Sequence, residues 1–567
     1  MDTQKFVLFL IFATSLLFLW DAWQKEQYPA PSAPTAGVQG SAKQRSTSAQ
    51  NETPVPGDEL ASVQPGKTGT AEGAAPVSAA GKLESGEKVI VKTDMVVAEI
   101  DTAGGDIRRL ELLSHPDKGD KSKPFALLQN QPEHIYIAQS GLIGQDLPTH
   151  KTRYTAEPGT YDLAAGQDKI EIRLRAPESD GVSVTKIYTF HRGSYLIDVS
   201  FEVTNQRTAP IQPFSYFQML RDSVPPVGSF FMIPTYTGAA LYTEQEKFKK
   251  IEFSALDKGN ASYPKNADNG WIAMLQQYFL TAWLPEDKSQ REYYAKRLGD
   301  NEYAAGVIVP VGVIEPGNSA RVTVPLYAGP EEQSKLASIA PGLDLTVDYG
   351  WLTVIGAPLF WLLSLFHSWT GNWGIAIILL TMSVKLAFFP LSAAGYRSMA
   401  KMRLVTPKLQ RLREQHGNDR QRMHQAMMEF YKAEKINPMG GCLPILVQIP
   451  VFISLYWVLL ASVELRYAPF ALWIEDLSSP DPFYVLPVLM GISMFVQSKL
   501  SPPASDPIQQ RVMQIMPLAF SVFFFFFPAG LVLYSLVNNV LSILQQWQIT
   551  RMIEGSAAAT GKQKKAS

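Results

Sequence analysis

The sequence predicts a polytopic α-helical membrane protein that carries a large antiparallel β-sandwich outside the membrane. Long uncharged stretches fill the last third of the chain, which is typical of helices that cross a bilayer. The middle of the chain instead alternates apolar and polar residues with a period of two, which is typical of half-buried strands. The mean hydropathy of −0.03 averages these two regions and by itself indicates neither.

Composition excludes several classes of protein. The 567 residues carry 51 basic and 52 acidic side chains, so net charge gives no reason to expect nucleic-acid binding by the whole chain. The single cysteine excludes an intramolecular disulfide and a metal site built from several cysteines. That residue, Cys442, is interpreted as a packing residue rather than a nucleophile.

The N-terminal segment predicts a membrane anchor followed by a linker. Residues 6–20 are uncharged and lie between Lys5 and Asp21, a pattern shared by short anchors and by signal peptides. Because no A-x-A cleavage site closes the run, an uncleaved anchor over residues 1–25 is favoured. Residues 26–84 are rich in Pro, Ala, Gly and Ser, which predicts a flexible linker.

Residues 85–345 predict the β-sandwich. Residues 169–175 and 196–203 alternate strictly, and residues 182–190 and 195–203 predict a hairpin joined through Gly193. Many such strands separated by Gly and Pro favour a large antiparallel sandwich. Its histidines lack metal-ligand spacing, and no catalytic motif occurs in a matching context, so we expect no catalytic residue, no metal site and no cofactor.

The C-terminal third predicts five further spans. Residues 512–550 carry no charge, and one helix of that length would measure about 58 Å against a hydrocarbon core of about 30 Å. The break is expected at Phe527-Pro528-Ala529-Gly530, because proline interrupts a helix. The predicted spans are residues 369–390, 439–461, 482–498, 510–527 and 530–549.

The charge of the connecting segments sets the predicted orientation. Residues 391–440 carry ten basic and four acidic side chains, which places the 391–438 hairpin in the cytoplasm by the positive-inside rule. With a cytoplasmic N-terminus, this leaves one span in residues 369–390 and makes residues 346–368 a helix in the outer interface. The other predicted segments are an outer loop (462–481), a cytoplasmic loop (499–509) and a basic cytoplasmic tail (550–567).

Lys385 is the first candidate functional residue, because it lies inside a predicted span. A lysine at mid-membrane costs about 2.5 to 3.5 kcal/mol, which by default indicates function, although the side chain also lies near enough to the cytoplasmic end to snorkel. Thr381 lies one turn earlier, and Gln448 and Asn538 interrupt other spans. With no acidic residue in the spans to neutralise Lys385, these residues predict a water-filled recess that attracts polar or acidic peptide rather than a proton relay.

The predicted cytoplasmic hairpin consists of two helices, residues 398–415 and 419–435, with Asp419 as the N-cap of the second. Its excess of six basic residues is suited to anionic lipid, ribosomal RNA or acidic peptide. The same excess is also explained by membrane topology alone, and the sequence leaves this choice open.

Several motifs together identify a family resemblance. The chain resembles the YidC/Oxa/Alb family of membrane protein insertases, in its Gram-negative form, over essentially its whole length. The motifs include Gly371-Asn372-Trp373-Gly374, Asn437-Pro438 with Gly440-Gly441-Cys442, Pro469-Phe470-Ala471-Leu472-Trp473 and Phe527-Pro528-Ala529-Gly530-Leu531.

The resemblance implies a five-helix insertase core around a hydrophilic groove that opens to the cytoplasm and to lipid. It implies that Lys385 is the basic residue of this groove, where many relatives carry Arg, and that Phe523, Phe526 and Tyr534 contact substrate. It further implies a location in the inner membrane, with both termini in the cytoplasm and a periplasmic domain similar to sugar-binding β-supersandwiches.

The predicted function is that of an insertase and membrane chaperone that inserts, folds and helps assemble inner-membrane proteins, alone or with the Sec translocon. The other expected partners are nascent inner-membrane proteins, the ribosome, components of the signal recognition pathway and the phospholipid bilayer. Two alternatives stay open: a small-solute transporter that uses Lys385 as an anion site, and a membrane-anchored periplasmic carbohydrate-binding protein.

Overall fold

A computed structural model of the chain describes residues 83–224, 236–299, 301–416, 420–433, 443–500, 515, 519 and 521–566. These residues fall into two units, one within residues 83–347 and the other within residues 348–566. Several predictions fall outside the described residues: the anchor 1–25, nearly all of the linker 26–84, the N-cap Asp419, the motif around Cys442, and most of residues 499–520.

The described part of the first unit is built from strands, with two short helices and one 3-10 turn. The strands are β1 (Lys88–Lys92), β2 (Val96–Asp101), β3 (Asp106–Pro116), β4 (Pro124–Gln131), β5 (His134–Ile143), β6 (Thr155–Ala156), β7 (Tyr161–Asp162), β8 (Lys169–Arg175), β9 (Val182–His191), β10 (Leu196–Asn205), β11 (Phe214–Asp222), β12 (Gly238–Thr243), β13 (Lys247–Ile251), β14 (Asn266–Ala267), β15 (Trp271–Gln276), β16 (Phe279–Trp283), β17 (Arg291–Gly299), β18 (Glu302–Pro310) and β19 (Ser319–Pro330). The helices are α1 (Phe253–Asp257) and α2 (Gln333–Ile339), and the 3-10 turn is Leu343–Thr346.

These strands form two sheets within the described part of the unit. One sheet has the order β14-β17-β18-β11-β5-β4-β3-β2-β1-β7, and the other has the order β13-β12-β15-β16-β19-β10-β9-β8-β6. Neighbouring strands are antiparallel apart from β1 and β7. The predicted antiparallel sandwich is confirmed.

The hairpin predicted from alternation is also confirmed. Strand β9 pairs with β10 in antiparallel register, with Ile197 opposite Phe190 and Val203 opposite Val184. Inward residues such as Val199 and Phe201 are fully buried, because a period of two places alternate side chains on the core face.

The core of this unit lies between the sheets. Phe217 of one sheet packs against Trp283 of the other, with ring centroids 5.1 Å apart. The buried hydroxyl of Tyr136 lies 2.6 Å from that of Thr281 on the facing sheet, so a polar atom inside the core has a partner. The sheets therefore share one apolar interior.

The second unit is helical. Its helices are α3 (Thr353–Thr370), α4 (Trp373–Ala387), α5 (Phe389–His416), α6 (Arg420–Ala433), α7 (Leu443–Ala461), α8 (Val485–Leu500) and α9 (Ala529–Ala566), and its 3-10 turns are Gly350–Leu352 and Val463–Leu465. Among the described residues no single helix meets the length and hydropathy expected of a complete membrane span, whereas Trp373–Ala387 and Phe389–Val405, bent by 67°, meet it together. Gln448–Ala461 and Val485–Leu500 are shorter apolar helices. The count of six spans stays a prediction.

The junction between α3 and α4 has clear local causes. Helix α3 ends at Gly371, whose φ of +66° is the left-handed conformation that glycine adopts at helix C-termini. Helix α4 then begins after Asn372, whose side-chain oxygen accepts a hydrogen bond from the Ile375 N–H at 3.0 Å. The sequence Gly-Asn therefore ends one helix and caps the next.

Helix α4 ends earlier than the sequence predicts. The predicted span runs to residue 390, but α4 stops at Ala387 and α5 starts at Phe389. Pro390 is tolerated there because the first turn of a helix needs no hydrogen bond from its N–H groups. Helix α5 consequently begins nine residues before the predicted hairpin helix 398–415.

The last helix extends beyond its predicted end. Helix α9 starts at Ala529, inside the predicted break and one residue before the predicted span 530–549. It continues to Ala566, into the segment 550–567 for which the sequence predicts a cytoplasmic tail. Residues 555–566 include Ala, Lys and Gln, which are good helix formers, beside two glycines, Gly555 and Gly561. The loss of apolar character after residue 550 therefore does not end the helix.

The 462–484 loop joins α7 to α8 and accepts hydrogen bonds from the N-terminal ends of α4 and α9. Its Ser479 and Leu477 carbonyls accept hydrogen bonds from the first N–H groups of α9, at 2.7 and 2.9 Å. Its Phe470 carbonyl accepts a hydrogen bond of 2.9 Å from the Asn372 side chain at the start of α4. The loop thus satisfies backbone groups that a helix N-terminus leaves without partners.

Candidate functional site

A polar recess lies between the helices of the second unit. Its volume is about 360 Å³, far more than one water molecule requires. The residues that line it come from α4, α5, α7, α8, α9 and the segment before α9: Lys385, Ser392, Tyr396, Gln448, Ile449, Phe452, Met490, Gln497, Phe524, Tyr534, Ser535, Asn538, Asn539 and Ser542. Most of these side chains carry hydroxyl or amide groups, and one carries a positive charge.

Lys385 provides that charge from the last turn of α4. Its ammonium group donates a hydrogen bond of 2.7 Å to the Ser542 hydroxyl, which in turn donates to the Asn538 carbonyl at 2.7 Å. Among the described residues no carboxylate forms a salt bridge with Lys385, and every other side chain that lines the recess is neutral. Coulomb attraction to an incoming anion is stronger here than in bulk water, because packed side chains exclude much of the solvent.

A second polar contact joins α7 to α9. The Gln448 amide nitrogen donates a hydrogen bond of 2.5 Å to the Tyr534 hydroxyl, and the Tyr534 ring lies 6.5 Å from that of Phe452. Tyr534 is almost fully buried, so this hydrogen bond satisfies a group that would otherwise be costly to bury. Tyr534 therefore offers the recess an aromatic wall with its polar tip held in place.

Two further contacts join α8 to α9. The Asn539 amide donates to the Ser493 hydroxyl at 2.8 Å, and the Gln497 amide donates to Gln546 at 2.7 Å. The side-chain oxygen of Asn538 is buried and has no hydrogen-bond partner within the described part of the chain. It is an acceptor suited to an N–H or O–H group that enters the recess.

The structure brings four of the seven predicted site residues together: Lys385, Gln448, Asn538 and Tyr534 all line the recess. Thr381 does not line it, because its hydroxyl is fully buried and donates to the Ile377 carbonyl one turn earlier at 2.7 Å.

Phe523 and Phe526 also lie away from the recess, and each exposes more than half of its side chain. Phe524, which the sequence analysis did not select, lines the recess instead. The chain leaves helical geometry after residue 523, so the spacing that relates neighbouring residues on a helix no longer applies to this segment.

Sequence reasoning also missed Ser392, Tyr396 and Ser542. The first two were assigned to the cytoplasmic hairpin because the predicted span ended at residue 390, although their spacing of four places them on one helix face. Ser542 follows Asn538 by the same spacing. A search for polar residues at intervals of three or four along the last helix therefore finds Ser535, Asn538, Ser542 and Gln546.

The described residues contain no group of three or more His, Cys, Asp or Glu side chains arranged to hold a metal ion. The polar groups of the recess are hydroxyls, amides and one ammonium. Such groups can hold a polar peptide by hydrogen bonding and charge.

Comparison with known proteins adds family matches over both units. Residues 88–362 match the model of the YidC periplasmic domain, and residues 365–556 match that of the 60Kd inner membrane protein. The chain is 85% identical over 569 residues to the membrane protein insertase YidC of Nitrosospira multiformis, covering 100% of both chains. It is 64% identical over 564 residues to that of Nitrosomonas europaea, covering 97% of this chain and 91% of the relative.

Among solved structures, the chain is similar to an active YidC insertase with its first transmembrane domain resolved. The two are 18% identical, the TM-score is 0.39, and the match covers 81% of this chain and 92% of the other.

Proposed function

The chain belongs to the YidC family of membrane protein insertases, and from this premise we propose that its polar recess receives the polar segment of a protein under insertion. The family is one of inner-membrane proteins with a periplasmic β-sandwich domain. The observation that carries the proposal is the position of Lys385, a cation among neutral polar groups in a recess of about 360 Å³.

The recess lowers the cost of moving a polar segment into the membrane. Its hydroxyl and amide groups replace hydrogen bonds that the segment loses on leaving water, and Lys385 attracts a carboxylate. The apolar span that follows partitions into lipid, and this hydrophobic transfer drives the last step without nucleotide hydrolysis. Substrates with one or two spans and short polar tails fit a recess of this size.

The proposed topology has six spans, with both termini in the cytoplasm and the β-sandwich in the periplasm. The spans are residues 6–20, 369–390, 439–461, 482–498, 510–527 and 530–549. The basic 391–438 hairpin then lies where a nascent chain emerges, which is the reason to propose contacts with the ribosome and the signal recognition pathway. The Sec translocon is the proposed partner for larger substrates.

The test is insertion into protein-free liposomes that contain the purified full chain. A short single-span protein with an acidic tail is synthesised alongside, and insertion is measured by protease protection. Lys385→Glu reverses the charge of the recess, so insertion should fall about tenfold or more, whereas Lys385→Arg keeps the charge and should retain most of it.

Lys499→Glu is the matched control, because Lys499 lies at the end of α8 and does not line the recess. We expect little change for it. If Lys385→Glu inserts as well as wild type, the charge takes no part in insertion and Lys385 merely reaches the interface. If liposomes with the wild-type protein protect no more substrate than empty liposomes, the chain does not insert proteins by itself.

A further inference from the structure

The 462–484 loop exposes several large apolar side chains. Leu472 is 89% exposed, the largest fraction for any large apolar residue that the structure describes. Phe483 is 68% exposed and Tyr484 is 47% exposed. Single exposed apolar residues are ordinary on protein surfaces, but a cluster at the junction of two apolar helices indicates a binding surface.

The loop holds these side chains outward on a rigid framework. The buried carboxylate of Asp481 accepts hydrogen bonds from the Trp473 ring N–H at 3.0 Å, the Phe483 N–H at 3.0 Å and the Leu486 N–H at 2.7 Å. Asp481 thereby holds Trp473, next to Leu472, and Phe483 in place, together with the first turn of α8.

Asp476 fixes the rest of the loop in the same way. Its carboxylate accepts hydrogen bonds from the Tyr467 N–H at 3.0 Å, the Ser478 N–H at 2.9 Å and the Ser479 hydroxyl at 2.6 Å. Both carboxylates thus bond to groups within the loop. The exposed apolar tip of the loop is formed by Leu472 and Phe483.

Leu472 adopts a backbone conformation that leucine rarely takes. Its φ is +55°, in the left-handed region that favours Gly, Asn and Asp. A tight turn surrounds it, because the Phe470 N–H donates to the Ile474 carbonyl and the Ile474 N–H donates to the Ala471 carbonyl. Leu472 buries almost none of its side chain against the folded chain, and this is the reason to look for a partner outside it.

The apolar surface of the loop continues along α8. Exposed side chains follow Tyr484 at helical spacing on one face: Val488, Leu489, Ile492, Phe495 and Val496. Helix α8 has 16 residues and measures about 24 Å, which is shorter than a hydrocarbon core of about 30 Å. Phe483 and Leu472 extend the apolar band past the end of this helix.

We propose that the 462–484 loop is a lipid anchor, in which Leu472 and Phe483 insert among the acyl chains of the outer leaflet. The inference rests on the proposed function, since it requires α8 to cross the membrane. The chemistry of the site favours lipid over protein, because Trp473 and Tyr484 flank the apolar tip and such amphipathic rings concentrate at the membrane interface. The anchor fixes the outer ends of α7, α8, α4 and α9, which the loop contacts or joins.

The test places an environment-sensitive fluorophore at single cysteines in the full-length protein. Cys442, the one native cysteine, is first replaced by Ser. Leu472→Cys reports the tip, Ile492→Cys reports the exposed face of α8, and Glu475→Cys is the matched control, an exposed residue of the same loop with a charged side chain. Each protein is reconstituted in vesicles of phosphatidylethanolamine and phosphatidylglycerol, with or without acyl chains that carry bromine.

We expect brominated lipid to reduce emission at least about twofold at positions 472 and 492, and aqueous iodide to quench only position 475. Quenching at 492 but not at 472, with iodide reaching 472, overturns the anchor and leaves the proposed function intact. Protection of 472 from both quenchers indicates a protein partner or a second copy and also overturns it. Absence of lipid quenching at 492 overturns membrane crossing by α8, and the anchor with it.

Discussion

At the scale of single residues, Ser542 holds the ammonium group of Lys385 through the hydrogen bond that crosses from α4 to α9. This contact fixes the position of the charge in the recess, because a lysine side chain otherwise samples many rotamers. In the proposed mechanism, the Ser542 hydroxyl therefore sets the place at which Lys385 attracts a carboxylate.

Ser542→Ala removes this hydroxyl and tests its role. We expect a loss of stability of about 1 kcal/mol, since Lys385 stays partly hydrated, and a several-fold slower insertion of an acidic tail. Ser542→Thr keeps the hydroxyl and should restore insertion. Ser383→Ala is the control, because the Ser383 hydroxyl donates only within α4, to the Leu379 carbonyl. Equal insertion by the two alanine variants contradicts the positioning role.

A buried histidine makes the stability of the β-sandwich depend on pH. Burial, together with the smaller effect of the charges of Lys151, Lys186 and Arg108, lowers the pKa of His150 to about 4. The neutral ring lies in the turn before β6, 2.6 Å from the Tyr216 hydroxyl of β11. An unfolded histidine has a pKa of about 6.5. Between pH 4 and pH 6.5 the histidine is therefore mostly protonated in the unfolded chain and mostly neutral in the folded chain.

The lower pKa of His150 in the folded chain means that acidification destabilises the β-sandwich. The contribution of His150 is complete above pH 6.5 and is lost as the pH falls towards 4, by about 3 kcal/mol in total. Hydrogen exchange of the amides in strand β11, corrected for the intrinsic exchange rate, measures this loss of stability. The difference in opening free energy between wild type and His150→Gln should shrink on acidification, and a difference that is constant with pH contradicts the assignment.

At the scale of elements, Gly374 permits the 462–484 loop to pack on α4. A Cβ at this position would lie 2.0 Å from Cδ2 of Phe470, a distance at which the atoms overlap. The loop also receives the Asn372 hydrogen bond beside this contact, so it cannot retreat without losing that bond. Only glycine allows this approach.

Gly374→Ala should therefore destabilise the helical unit by about 1 to 3 kcal/mol through overpacking. In a unit of this size the unfolding temperature falls by about 3–10 °C. Differential scanning fluorimetry of the detergent-solubilised protein measures the shift. Gly159→Ala is the control, because its nearest neighbour would be Tyr161 Cζ at an ordinary 3.9 Å. An unchanged midpoint for Gly374→Ala shows that the loop moves freely.

At the scale of the whole molecule, the division into two units predicts that the helical unit inserts proteins without the β-sandwich. Residues 85–345 hold the sandwich with its own core, whereas the recess is built only from residues of the second unit. A chain from which residues 85–345 are deleted, with the anchor and a short linker kept, should retain insertion into liposomes.

Helical content by circular dichroism is the control for that deletion. A deleted chain that keeps its helices but inserts nothing contradicts a recess that works alone. That result favours the reading in which the periplasmic domain carries the activity and the helices serve as its anchor.

The sequence by itself determined the local structure. Alternation identified strands β8, β9 and β10, because a strand places successive side chains on opposite faces. The absence of charge identified the apolar helices, and Gly371-Asn372 marked the boundary of two of them. The charge of Lys385 in an apolar run indicated a candidate functional site, since such a residue is costly without a role.

Only the tertiary structure decided which polar side chains meet. Tyr396 lines the recess from α5, which begins after the chain bends by 67° at the end of α4, and Ser542 lines it from the distant helix α9. Thr381 bonds to its own helix, although its spacing relates it to Lys385. Periodicity fixes the direction of a side chain relative to its own element, whereas the distance between elements depends on how distant segments pack together.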